Sequence, residues 1–255
     1  MEEKEDTRKL VTFRRILGDY CIAGAIHSYG DVIDFVEGEK QGIFLADTCG
    51  HREESGIEMS KFIKRKIKSG WGVEGDAEQN LYSLGKDLAS LRDPNIRPID
   101  SDEWFDWVSA SYTQFDGDNI SLAMGGGLGH TLIFRENGSL ERILMMGGTI
   151  DDNDHYLKKH EPAYNTKLKR DEILFLQSDG MHNMAKALHF DSLDGKIDLD
   201  TRHTVWYADT LLYNVINKNF YEPAVVIRDA IVSELSKYFL PRTGRDDDVT
   251  FVVVK

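Results

Sequence analysis

Two stretches of this chain share one design, a short apolar run leading into an aspartate. In GIFLADTCGH (42–51) the run meets Asp47 directly, and in EILFLQSDG (172–180) the run is followed by Gln177 and Ser178 before Asp179 and Gly180. A short continuous apolar run is expected of a strand buried on both faces, so further layers must cover both sides of its sheet. An ionised carboxylate at the end of such a strand is costly unless it is paired or coordinated. One aspartate there is commonly a turn or helix cap. Two of them, with the acidic segments GDVID (30–34) and RDDDVT (245–250), point to a shared role.

The C-terminal segment is the sharpest. Asp246, Asp247 and Asp248 stand directly before VTFVVV (249–254). Adjacent like charges are unfavourable and ordinary turn chemistry does not need three. Either the segment is a solvated loop, or one carboxylate points into a cation site while its neighbours hold the loop. Ligands that are all oxygen favour hard cations such as Mg²⁺ or Mn²⁺ over zinc.

Between these segments the hydrophobic period alternates between strand and helix. Tyr20 to Ser28, Asp31 to Glu37 and Gly42 to Ala46 read as strands. Ser55 and Glu58 fit a capping box opening a helix whose apolar positions are Met59, Phe62, Ile63 and Ile67. Asp76 to Arg92 reads as a second helix on a stripe of Leu81, Leu84, Leu88 and Leu91. Trp107 to Phe115, Ile120 to Met124, Thr131 to Arg135 and Leu140 to Met145 read as short strands. Their connectors FDGDN and RENGS carry hairpin turn signals. Asp116-Gly-Asp118-Asn119 is similar to part of a calcium loop, but the full spacing and terminal Glu are missing, so a hairpin turn is expected. Thr201 to Lys218 and Glu222 to Phe239 are expected helices, the latter with Pro223 in its first turn. Val249 to Val254 is a strand of high β propensity. A strand meander with two pairs of helices, rather than regular βαβ alternation, argues α+β.

The length of 255 residues, without repeats or Pro/Gly-rich linkers, suits one domain, expected at 20–255 behind a charged lead-in at 1–19. A net charge of −13 disfavours a nucleic-acid footprint. The basic cluster at Lys61, Lys64, Arg65, Lys66 and Lys68 reads as a solvated helix face. No apolar run approaches the roughly 20 residues of a membrane span, and the charged start lacks a secretory signal. Only Cys21 and Cys49 are present, so no disulfide framework is implied and a cytoplasmic location is expected. No GxSxG, Walker A or HExxH pattern appears.

Taken in order, GDVIDF (30–35), FLADTCGH (44–51), Gly129-His130 before a strand, FLQSDGM (175–181) and DDDVTFVVV (246–254) resemble the PPM-type metal-dependent serine/threonine protein phosphatases. The likeness is nearest to the bacterial subfamily of the sporulation stage II protein E phosphatase domain and the regulators of stress sigma factors. It runs from about Ala23 to Val254. Each motif alone is weak; five in order at plausible spacing are specific. The resemblance implies a four-layer α-β-β-α sandwich of two antiparallel sheets flanked by helices, with two Mn²⁺ or Mg²⁺ ions at one edge. It also implies that Asp31 serves the second metal, Asp47 bridges both, Asp179 and Asp247 complete the second site, and the Thr48 carbonyl faces the first. The implied reaction is hydrolysis of phosphoserine or phosphothreonine by a water activated between two cations, with no phosphoenzyme. The implied partner is a phosphorylated protein, an anti-sigma-factor antagonist or related signalling protein. Oligomeric state is not legible.

Departures leave alternatives open. The second motif ends GHREESG, placing Arg52, Glu53 and Glu54 where the family has small residues; Arg52 either contacts substrate phosphate or is a bulky surface substitution. If that segment disturbs the first metal, the chain is instead a non-catalytic phosphoprotein-binding adaptor on the same fold. An unrelated metal-dependent hydrolase of small phosphoesters is a third reading. Asp34 and Asp248 are expected in structural roles. His51 and His130 are either proton donors or turn residues, and Cys49 a packed thiol or a redox-sensitive one.

Overall fold

The computed structural model describes residues 11–27, 31–48, 53–90, 107–125, 131–143, 150–151, 162–178, 180, 212–239 and 249–255. Strands β1 (Val11–Leu17), β2 (Tyr20–His27), β12 (Val249–Val254), β11 (Ile173–Gln177), β7 (Thr131–Phe134) and β8 (Leu140–Ile143) lie side by side in that order in one antiparallel sheet. The second sheet runs β10 (Tyr164–Lys167), β6 (Asn119–Gly125), β5 (Trp107–Asp116), β4 (Gln41–Thr48) and β3 (Val32–Val36), and β9 (Ile150–Asp151) also pairs with β5.

Three apolar layers follow from the two-residue alternation of these strands. Ile22, Leu174, Leu176, Val252 and Val254 of the first sheet meet Ile43, Leu45, Leu122 and Met124 of the second. The opposite face of the first sheet, including Phe175, Phe251 and Val253, packs under α3 (212–218) and α4 (Ala224–Phe239). The opposite face of the second, including Phe44 and Tyr112, packs under α1 (Glu53–Lys68) and α2 (Ala77–Ser90). Helix, sheet, sheet and helix are therefore stacked as the expected α+β sandwich. No helix among the described residues is long and apolar enough to cross a membrane.

Local signals acted largely as expected. Asp76 caps α2, its Oδ1 accepting the Gln79 N–H at 2.8 Å. The FDGDN connector is the β5–β6 hairpin, with Asp116 opposite Asn119 and Gly117 at a φ of +55°. Two readings are corrected. Ser55 is not the N-cap of α1, because the helix already includes Glu53, so Glu53 and Glu54 of the divergent segment form its first turn. Within the stretch 1–19 read as a lead-in, Val11–Leu17 form β1, paired with β2 along its whole length. This edge strand is solvated on most of both faces, so it carries no burial period, and its exposed Arg14 and Arg15 are the charges that keep an edge from pairing with another chain. Of the helix expected over 201–218, 212–218 are described as helical; the remainder lies outside the described residues.

Candidate metal centre

Strands buried on both faces hide which way a given side chain points, and the core composition resolves it. In β4, Ile43 and Leu45 belong to the layer between the sheets, while Phe44 and Ala46 lie beneath the helices. Asp47 therefore points between the sheets. In β3, Val32 and Val36 lie beneath the helices and Ile33 and Phe35 pack against the inter-sheet layer, so Asp31 shares the orientation of Asp47. Val32 pairs with Ala46, and one step further outward Asp31 comes beside Asp47, whose other neighbour is Ser109 of β5. The last inter-sheet row of the second sheet is thus Asp31, Asp47 and Ser109.

The first sheet answers with its own polar row. Thr250 has the phase of Val252 and Val254, and Ser178 that of Leu174 and Leu176, so both face between the sheets. They form one rung: the Ser178 N–H donates to the Thr250 carbonyl at 2.9 Å, and the Thr250 N–H donates to Ser178 Oγ at 3.0 Å. Both residues are fully buried. The two rows lie at the same end of the sandwich. His27, at the end of β2, pairs with Val249, and only four residues later Asp31 directly precedes β3 in the other sheet. Four peptide units reach at most about 14 Å, against a sheet separation of about 10 Å.

The electrostatics of this end set it apart from the rest of the interior. Asp31 is 7% exposed and sits one strand from Asp47. Like charges directly opposite one another on neighbouring strands are destabilising, and burial raises the cost. A cation relieves both. The polar side chains of the two rows are carboxylates and hydroxyls, oxygen donors of the type suited to Mg²⁺ or Mn²⁺. One more observation fits a bound group: the buried Thr250 Oγ1 has no hydrogen-bond partner among the described residues.

Of the residues singled out in the sequence, Asp31 and Asp47 are thus brought together, and Thr48 ends the same strand. Asp179 and Asp247 lie outside the described residues, as do Asp248, Gly129, His130, Cys49, His51 and Arg52; the described chain neighbours Ser178 and Val249 stand at this end of the first sheet. Among the described residues no group of three or more His, Cys, Asp or Glu side chains forms a metal cluster. Asp34 has the opposite phase from Asp31 and its Oδ1 accepts the Phe35 N–H at 2.9 Å, as expected of a structural residue. Ser109 lies in none of the quoted motifs, and Ser178 and Thr250 lie inside FLQSDGM and DDDVTFVVV without having been singled out as site residues. At Thr250 the signal is a hydroxyl interrupting an otherwise apolar strand near its end.

The opposite end of the sandwich holds a cleft of about 980 Å³ beside Arg135. Arg135 donates to Glu141 at 2.9 Å, Glu172 at 2.7 Å, Thr166 at 3.1 Å and the Lys167 carbonyl at 2.6 Å, tying β7, β8 and β10 together. Its donors are committed to this clasp, and the carboxylate pair lies at the other end of the same strands. Tyr20 is at this end as well: burial foremost, then Asp118 and Asp19, push its hydroxyl up to about 12.

No protein-family model and no curated protein sequence matches the chain. Solved structures do match in fold. The PP2C phosphatase domain of SpoIIE from Bacillus subtilis superposes with a TM-score of 0.62 at 16% identity, over 96% of this chain and 64% of that one. The S. agalactiae serine/threonine phosphatase gives 0.58 at 15% identity over 96% and 98%. RsbX, solved in complex with magnesium, gives 0.57 at 10% identity over 96% and 98%. The chain has the fold of the PP2C-type phosphatases.

Proposed function

We propose that this chain is a metal-dependent protein serine/threonine phosphatase of bacterial signalling. The observation that carries the reading is the adjacency of Asp31 and Asp47 in one row between the sheets, on the side of the hydroxyl row of the other sheet. The fold shared with PP2C-type phosphatases, one of them solved with magnesium, supports it.

In this reading Asp31, Asp47, Asp179 and Asp247, with the Thr48 carbonyl, hold two Mn²⁺ or Mg²⁺ ions. When bound, such a pair makes a shared water nucleophilic at neutral pH and offsets charge developing on the phosphoryl group. The protein's own contribution is placement. Pairing of β3, β4 and β5 sets Asp31 and Asp47 at a fixed separation, and the Ser178–Thr250 rung anchors the two strands from which Asp179 and Asp247 extend in sequence. The ions also answer a problem of charge, because a chain of net charge −13 has little of its own to attract a phosphate. The substrate class is a phosphorylated protein, with an anti-sigma-factor antagonist or related signalling protein as the member implied by the resemblance.

The test is turnover of a phosphoserine or phosphothreonine peptide and of a small phosphoester with Mn²⁺, comparing wild type with Asp179→Asn. Wild-type turnover that falls at least about 100-fold in the variant is expected. Equal rates remove the proposal. No turnover despite bound metal favours the adaptor reading.

A further inference from the structure

The second half of α1, from Lys61 to Lys68, carries five bases and no acid in a chain whose net charge is −13. Lys61, Lys64, Arg65 and Lys68 fall at helical spacing on one exposed face, on the side away from the fully buried Ile63. Lys66 lies off this face and pairs with Asp87 at 2.9 Å. Lys64, Arg65 and Lys68 make no ion pair among the described residues. Two local explanations fall short. The helix dipole favours bases in the last turn, which accounts for Arg65, Lys66 and Lys68 but not for Lys61 and Lys64. A solvated face ordinarily sets acids four residues from bases, yet Lys61–Arg65 and Lys64–Lys68 are like-charge pairs at that spacing, which destabilise a helix. A partner of opposite charge removes that cost.

The place of the face in the fold narrows the partner. α1 begins at Glu53, five residues after β4 ends at Thr48 beside the carboxylate pair. It leads to the connection where Trp71 packs on Phe44 and Tyr112 and Lys40 donates to the Gly75 carbonyl, at the other end of the second sheet. At 1.5 Å per residue the four bases lie about 12–22 Å along the helix from its start, beyond contact with a phosphate at the metal centre. A membrane-surface helix turns its apolar side to lipid, but Ile63 and Ile67 pack on the sheet. A long polyanion such as nucleic acid meets repulsion from the rest of an acidic surface. A short acidic protein segment fits one helix face, and the surrounding negative charge steers it there.

We propose that this face of α1 docks an acidic segment of the phosphoprotein substrate, remote in sequence from the phosphorylated residue. The role rests on the phosphatase reading above and gives the enzyme a means of telling one phosphoprotein from another.

The experiment measures kcat and KM with Mn²⁺ at low salt for wild type, the triple variant Lys64→Glu, Arg65→Glu, Lys68→Glu, and the matching glutamine variant. The substrates are a phosphoserine peptide with an Asp/Glu tract about ten residues from the phosphoserine, enough to span about 30 Å, the same peptide with Asn/Gln in the tract, and a small phosphoester. Wild type should show a kcat/KM about 5–10-fold higher on the acidic peptide than on the neutral one, with the difference in KM and shrinking as salt is raised. Both variants should lose the preference, the glutamate variant reversing it, while all three proteins hydrolyse the small phosphoester alike. No preference in wild type, a preference kept by the variants, or small-phosphoester turnover lost in the variants overturns the docking role and leaves the phosphatase reading intact. Charge-dependent binding of wild type to phosphatidylserine vesicles or duplex DNA, without a peptide preference, assigns the face to those polyanions and overturns it equally. No small-phosphoester turnover by wild type overturns both.

Discussion

Asp47 answers to two opposed demands. It continues a strand whose interior residues from Gly42 to Ala46 are all buried, where apolar side chains are favoured, yet it carries a charge beside that of Asp31. In the two-cation reading, bound ions offset the repulsion between these neighbouring carboxylates. Asp47→Asn should therefore leave the metal-free protein as stable as wild type or more so. It should also abolish most of the rise in unfolding temperature that Mn²⁺ produces, about 2.7 kcal/mol for wild type when the ion is at 100 times its dissociation constant. Differential scanning fluorimetry with and without Mn²⁺ reads both signs. A metal-free variant that is strongly destabilised would mean that Asp47 is a structural residue.

At the scale of elements, the Arg135 clasp and the α1–α2 connection each hold layers in place away from the carboxylate pair. Burial pushes the Glu141 carboxyl up, but hydrogen bonds from Tyr164 and Arg135 outweigh it and hold the group below the 4.5 of an unperturbed glutamate. A carboxylate held low in the fold contributes stability that is fully present above its unfolded value and fades as pH falls through the folded one. The stability gap between wild type and Glu141→Gln should then be about 1–2 kcal/mol near neutral pH and shrink as pH drops below about 4.5. Denaturant titrations across that range measure it, and a pH-independent gap would contradict the assignment. In the connection between α1 and α2, Trp71 packs edge-on against Phe44 with centroids 5.4 Å apart and against Tyr112 at 5.0 Å, and its indole N–H donates to the Asn80 carbonyl at 2.9 Å. Tyr112 in turn donates to the carbonyl of Gly72, a residue whose φ of +89° suits glycine. Trp71→Ala should cost about 3–5 kcal/mol in chemical denaturation.

Across the whole molecule, what the sequence made legible divides along physical lines. Strands sealed on both faces, such as β4, β11 and β12, announce themselves as apolar runs, and those same strands set the layer order. Strands solvated on an edge do not: β1 is exposed along most of its length, β10 (YNTK) has only four residues and no fully buried one, and β9 is two residues long. The capping-box pattern at Ser55 was outweighed by a helix that begins earlier. Asp31 and Asp47 were legible as candidates, but their adjacency was not. A continuous apolar run is silent about which face its last residue takes, and only the strand register and the partition of the cores decide it. Ser109 gains its place from the row it shares with Asp47, and Ser178 and Thr250 from the rung they form in the other sheet. The central claim is that the polar end of the sandwich is built around a pair of cations. Calorimetric titration of Mn²⁺ into the metal-free protein tests it most directly. Two ions bound per chain by wild type, with binding weakened or lost in Asp31→Asn and Asp47→Asn, is the predicted result; no binding, or equal stoichiometry and affinity in all three proteins, would contradict it.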